Sequence, residues 1–216
     1  MQFTHDDIIN LSSRYRAHLI NGITGYKCIH LLGTTDGQDN HNLAIISSVV
    51  HLGADPAMIG FVMRPDTVVR DSLNNINTQK AYTLNSINEE HWKQAHHTSA
   101  KFLSDESEFE QCGFTAQLHK DFNAPFVHSS NIKMGLMLHD IIELPNQTLF
   151  VIGNLTQLFI DDEMVKEDGF VALNSANICV SSGLDSYHTP SPLGRLSYAK
   201  PNELPIIIDP LRQQSK

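Results

Sequence analysis

Arg64 and Arg70 flank a Pro-Asp-Thr turn, and Ser72 and Asn75 follow within one helical turn and a half. Guanidinium forks beside the hydroxyls of Thr67 and Ser72 are donors that suit a phosphate monoester. Asp66 or Thr67 can cap a helix here, and Leu73 and Ile76, spaced three apart, give it an inward face. The first turn of such a helix adds free backbone N–H groups and the positive end of the dipole. Asp71 suits that dipole, or it holds Arg70 by an ion pair. The stretch reads as an anion pocket, with Asn75 as a stabiliser of a turn or of a ligand's polar chain.

Upstream, Asn42 to Val50 is rich in Ile, Val and Ala and carries Ser47 and Ser48 in mid-run. Buried hydroxyls on a strand need partners, which either a ligand edge or the neighbouring backbone supplies. Gly53, Asp55 and Pro56 turn the chain into a second apolar run, Ala57 to Met63, so the two runs read as neighbouring antiparallel strands.

In order along the chain stand Asn42-x-Ala44-x-x-Ser47-Ser48, Arg64-Pro65, the helix entrance Arg70-Asp71-Ser72-x-x-Asn75-Ile76, then QAHHTSAKF from Gln94, SEFEQCGF from Ser107, and GLDSYH and GRLSYAKP between Gly183 and Pro201. This series resembles the flavin reductase-like family, the FMN-binding split barrels that include flavoredoxins and the reductase partners of two-component monooxygenases. The resemblance implies a mainly β fold, an antiparallel Greek-key-like barrel with peripheral helices, as a single domain over residues 1–216. It implies FMN bound by Asn42, Ala44, Ser47, Ser48, Arg64, Thr67, Arg70, Ser72, Asn75, Thr98 and Ser99, with Ala44 leaving room for the ring.

It further implies an oxidoreductase in which NADH or NADPH, as a transient cosubstrate, reduces the flavin, and electrons pass to free flavin, a partner monooxygenase or another acceptor. A noncatalytic FMN electron carrier is the alternative, and a split barrel holding pyridoxal phosphate, haem or F420 a third reading. No catalytic side chain is required, because the flavin ring itself accepts hydride at N5; His96, Tyr187 and His188 are candidates on the substrate side. A homodimer is expected from the same resemblance. Many members have Pro-Arg-Pro before the first long strand, where this chain has Gly25-Tyr26-Lys27, so a contact of Tyr26 or Lys27 with the cofactor stays open.

Lys and Arg total 15 against 24 Asp and Glu, a formal charge of −9, which opposes attraction to nucleic acid or an anionic membrane. Three scattered cysteines, Cys28, Cys112 and Cys179, give neither a disulfide framework nor a thiolate zinc site, and a reducing cytoplasm is expected. The start MQFTHDDIIN is no signal peptide, and no apolar run is long enough to span a bilayer. The 12 histidines include His91, His96 and His97 on one expected helix, but without His-Glu-x-x-His spacing no metal site is expected. No Gly-x-Gly-x-x-Gly fingerprint offers a dinucleotide a Rossmann site.

Elements must hold these groups. Thr4 caps an expected packing helix carrying Ile8, Leu11, Tyr15 and Leu19 and ending at Asn21-Gly22. Lys27 to Gly33 and the Asn42 strand form a hairpin about Asp36-Gly37. Ala81 to Leu84 is a strand, Asn88 to Phe102 a helix, and Ser107 starts one more turn stopped by Gly113. Ile132 to Leu144 and Thr148 to Ile160 make a long hairpin about Pro145-Asn146-Gln147 that completes the barrel. The long loop from Ser181 to Lys200 is expected to cover a binding site.

Overall fold

Thr4 caps the first helix through a reciprocal pair: its hydroxyl accepts from the Asp7 N–H, and the Asp7 carboxylate accepts from the Thr4 N–H. The computed structural model describes residues 1–64, 71–103 and 105–209. It opens with α1 (His5–Asn10) and α2 (Ser13–Gly22), so the single helix expected here is two, parted by extended backbone at Leu11 and Ser12. Neither helix contains a buried residue; Ile8, Leu11 and Leu19 are half-buried and Tyr15 is exposed. The expected packing face is left largely uncovered within one chain.

The strands that follow are β1 (Lys27–Cys28), β2 (His30–Thr35), β3 (His41–Ile46), β4 (Val50–Ala54) and β5 (Ala57–Met63). After them come α3 (Asp71–Gln79), β6 (Ala81–Ser86), α4 (Trp92–His97), α5 (Glu108–Gln111), β7 (Ala116–His119), β8 (Phe122–Val127), β9 (Ile132–Glu143) and β10 (Leu149–Ile160). Seven strands form one antiparallel sheet in the order β3-β2-β6-β9-β10-β5-β4. The long β9–β10 hairpin, expected from the sequence, fills the place between β6 and β5.

One expectation fails instructively. Asn42 to Val50 is not one strand: β3 stops at Ile46, residues 47–49 bend, and β4 begins at Val50. β3 pairs with β2 alone, and it is β4 that pairs with β5, so the two apolar runs are not simple neighbours. Both edges of the sheet are thus consecutive pieces of one chain. At the bend the Ser48 hydroxyl donates to the Val62 carbonyl at 2.9 Å and accepts from the Val62 N–H at 3.0 Å, extending the Val50↔Gly60 register with a side chain in place of backbone. A rolled sheet whose edges meet only at such a bend is a split barrel.

Inside the roll, Leu32, Phe61, Tyr82, Leu84, Leu136 and Val151 pack with Leu73 and Ile76, the inward face expected for α3. Burying one large apolar side chain of this kind contributes about 1.5–3 kcal/mol. On the other face of β2 and β3, Ile29, Leu31 and Leu43 pack against Ala95 of α4 and Phe109 of α5. The α4 helix is shorter than the expected 88–102 span because its C-terminal Thr98 turns inward to bond the sheet.

The β7–β8 hairpin was not expected from the sequence. It lies over β2 and β6, where the Thr83 hydroxyl donates to the Pro125 carbonyl at 2.6 Å. Gly33 permits that approach, since a Cβ there would collide with the Pro125 carbonyl oxygen and Thr83 Oγ1. In the tail, β11 (Val180–Ser182) joins β1 to β12 (Ser186–His188), and β13 (Arg195–Leu196) pairs with β14 (Ile207–Asp209). The expected loop from Ser181 is therefore partly strand. Among the described residues no helix is long and apolar enough to cross a membrane.

Candidate functional site

β3 organises the candidate site because one of its edges has no partner strand. An unpaired edge presents backbone N–H and C=O groups that must find other partners. Two of them are taken by side chains: the Leu43 N–H donates to Glu108 Oε2 at 3.0 Å, and the Ile45 N–H donates to Thr98 Oγ1 at 2.9 Å. The next N–H in this alternation is that of Ser47, which has no protein partner among the described residues. The edge is thus closed along β3 and opens at the bend.

At the N-terminal end of β3 a polar relay ties strand to helix. The Asn42 amide donates to both Glu108 oxygens, at 2.9 and 2.8 Å, and its oxygen accepts from the Ser72 hydroxyl at 2.5 Å. Asn75 Nδ2 donates to Thr34 Oγ1 at 3.2 Å, and Thr34 Oγ1 in turn lies 3.4 Å from Asn42 Oδ1. Asn42, Ser72 and Asn75, singled out from the sequence, are therefore brought together. Glu108 lies within SEFEQCGF but is no site residue on the sequence reading; it stands 66 residues from Asn42.

The relay borders a cavity of about 430 Å³ lined by Asp36, Asp71, Asp105, Glu106, Glu108 and Glu110 among others. Burial raises the Glu108 carboxyl above its usual range, opposed by the hydrogen bond from the Leu43 N–H and by that from Asn42; the nearby Asp71 charge raises it further. The described part of this corner is acidic, in contrast to the local positive charge read from the sequence. Arg64 is exposed just beyond the end of β5, two residues from the Ser48 partner Val62. Thr67 and Arg70 lie outside the described residues.

Ala44 and Ser47 are half-buried, Ala44 standing opposite Leu32. The Ser48 hydroxyl bonds to backbone, as a seam would, so of the two readings of this serine the one requiring a ligand is unnecessary. Thr98 is similarly committed: its hydroxyl accepts from Ile45 and donates to the Ala95 carbonyl at 2.8 Å. Ser99 is exposed and donates to the His96 carbonyl at 2.7 Å.

A third group covers the outer side of β3. His96 Nδ1 is hydrogen-bonded to Tyr187 Oη at 2.7 Å, and the Trp92 ring lies 5.4 Å from that of Tyr187. Tyr187 packs on the cluster that contains Leu43 and Ala95, so two of the three substrate-side candidates, His96 and Tyr187, lie in contact. His188 Nε2 instead lies within hydrogen-bond distance of the Ser182 and Ser186 hydroxyls, at 3.0 and 3.1 Å, and its ring packs at a tilt against Tyr26 with centroids 4.9 Å apart. Lys27 donates to the Gly183 carbonyl at 3.0 Å. These two residues therefore brace the β11–β12 turn.

Known proteins match this arrangement. The family model described as a flavin reductase like domain matches residues 28–175. A solved structure from Shewanella frigidimarina NCIMB 400, described as a candidate flavin reductase with a split barrel domain, is 44% identical, with 92% of this chain and 100% of that one covered and a TM-score of 0.88. Nitrilotriacetate monooxygenase component B from Bacillus cereus shares the fold at 15% identity, covering 91% and 98% of the two chains with a TM-score of 0.81. Flavoredoxin of Desulfovibrio vulgaris (Miyazaki F) shares it at 19% identity, covering 82% and 91% with a TM-score of 0.68. A curated relative from Aquifex aeolicus (strain VF5), described only as an uncharacterized protein, is 22% identical over 111 residues, and the match spans 51% of this chain and 56% of that relative. Spanning most of its sheet and both helices that flank β3, the match makes this chain a member of the flavin reductase-like domain family.

Proposed function

We propose that the chain binds FMN along the bend after β3 and passes electrons from NADH or NADPH through it to free flavin or another acceptor. The observation that carries this reading is the edge of β3, closed by Glu108 and Thr98 as far as Ile45 and open at Ser47. A ring edge carrying carbonyl and N–H groups fits such an opening. The phosphate is assigned to the entrance of α3, with Arg64, Thr67 and Arg70 as donors and Ser72, whose hydroxyl is bonded to Asn42, at its inner border, and the polar chain to Asn75.

When bound, the flavin supplies hydride acceptance at N5. The chain's own contribution is placement. Ser47 and the backbone of residues 47–49 orient the ring edge, and Ala44 leaves space on the strand. Arg64 would neutralise charge at the exposed rim, while His96 and Tyr187, held by their mutual hydrogen bond, are the side chains offered to the substrate. The bare α1 and α2 faces and the apolar tail support a homodimer as the working assembly.

Rapid anaerobic mixing of the FMN-loaded protein with NADH and with NADPH should bleach the flavin absorbance with at least one of them. A trace that stays unbleached with both overturns the reductase reading. Arg64→Ala should weaken FMN binding by about 1–3 kcal/mol, the range for a charge-assisted bond lost at a phosphate, as measured by flavin fluorescence titration.

A further inference from the structure

An ionised carboxylate only accepts hydrogen bonds, and that fact fixes the direction of every bond in the Asn42 relay. With Glu108 accepting, Asn42 must turn its amide nitrogen toward Glu108 and its oxygen toward Ser72. The Ser72 hydroxyl must then donate inward, so its single hydrogen is committed to Asn42 at 2.5 Å. Thr34 is oriented the same way, accepting from Asn75 and facing Asn42 Oδ1. A phosphate oxygen arriving at the start of α3 meets Ser72 as lone pairs, next to the charges of Asp71 and Glu108. Ser72 and Asn75 are both buried, which leaves the relay few alternative partners.

We infer that Glu108 is a specificity-determining residue that weakens the grip on the flavin phosphate and so keeps the flavin exchangeable. The inference rests on the proposed placement of FMN and adds to it a reason for loose binding. It acts by polarity and charge at a distance, through Asn42 and Ser72. Replacing the carboxylate by an amide would let the relay reverse: the new Nε2 donates to Asn42 Oδ1, the flipped Asn42 amide donates to Ser72, and the Ser72 hydrogen is released toward the phosphate.

The test compares FMN with riboflavin, which lacks the phosphate, by fluorescence titration of the full chain. Glu108→Gln is expected to tighten FMN roughly tenfold, the lower end for one gained bond to a charged acceptor, with riboflavin changed by less than about twofold. Adding Ser72→Ala to Glu108→Gln should remove most of that gain, the non-additivity expected of residues sharing one relay. Loss of both flavins in parallel in Glu108→Gln would mean that Glu108 only braces the edge of β3, and overturns the inference. Ser72→Ala in the native background provides an arm that does not depend on folding of the Glu108 variant: FMN should be held at least as well relative to riboflavin as in the native chain, because only lone pairs are removed, and a selective loss of FMN overturns the inference by showing that Ser72 already donates to phosphate. Native protein that binds neither flavin overturns the flavin placement itself along with its extension.

Discussion

The barrel interior and the two ends of the chain follow opposite rules. Phe61, Tyr82, Leu136 and Val151 are wholly removed from solvent, and Gly153 lets the Tyr82 ring come so close that a Cβ there would overlap Tyr82 Oη. In the tail, by contrast, Tyr198 is 90% and Leu204 92% exposed, with Leu193 and Ile206 similarly bare, and α1 and α2 bury nothing fully. The interior is completed by one chain; the ends carry several large apolar side chains exposed close together in sequence, the kind of surface that marks a contact. Stability is concentrated in the first region and, on the proposed reading, assembly in the second.

The largest test of that division is in the interior. Phe61→Ala should cost about 3–5 kcal/mol in urea unfolding, the usual penalty for removing a buried aromatic ring, because Phe61 meets Tyr82 edge-on at 5.5 Å and cannot be replaced by solvent. A loss near that of a surface substitution would show that the roll is looser than its packing implies.

A smaller effect belongs to the boundary between the regions. His30 lines a cavity of about 310 Å³ beneath Phe170, Val171 and Ile178, and burial pulls its imidazole down to about 4 from the ordinary 6.5. The folded form therefore binds fewer protons than the unfolded form between those values. Stability should be complete above pH 6.5 and fall as pH drops toward 4, by at most about 3 kcal/mol from this group. Unfolding free energies of the native chain and His30→Leu at pH 7.5 and 4.5 check it: the variant should lose less on acidification, and equal losses would remove His30 as the cause.

The smallest effect on folding and the sharpest on assembly is expected in the tail. Leu204→Glu combined with Ile206→Glu should change barrel stability by less than about 0.5 kcal/mol, as exposed positions do. If the proposed homodimer is the native assembly, sedimentation velocity should nonetheless show a shift from dimer to monomer. An unchanged sedimentation coefficient would mean that this apolar arm is not the contact.

Much of the architecture could be read from the residues. The β9–β10 hairpin is legible because the first run alternates over much of its length up to a Pro-Asn-Gln turn and a second apolar run of matching length returns from it, and the inward face of α3 because Leu73 and Ile76 sit three apart. The bend at Ser47 to Val49 is not, since a strand that switches neighbours has the same β-branched composition as one that continues. The β7–β8 hairpin escaped notice because its turn at Lys120-Asp121 contains no glycine and Pro125 argues against a strand. Of the site, Asn42 and Ser72 stood out singly, but their bond spans 30 residues. Glu108 belongs to the SEFEQCGF stretch that carries the resemblance, yet nothing local marks it as a site residue, because its importance comes from the edge it meets.

That edge has a consequence for the protein in a crowded solution. A bare strand margin is a template on which another molecule's strand can dock, and repeated docking yields insoluble ribbons. By occupying the Leu43 and Ile45 amides, Glu108 and Thr98 deny a stray strand its first two ladder rungs. A variant that lost both side chains would therefore threaten solubility before it threatened the fold, and would be expected to precipitate from a state whose barrel was still intact.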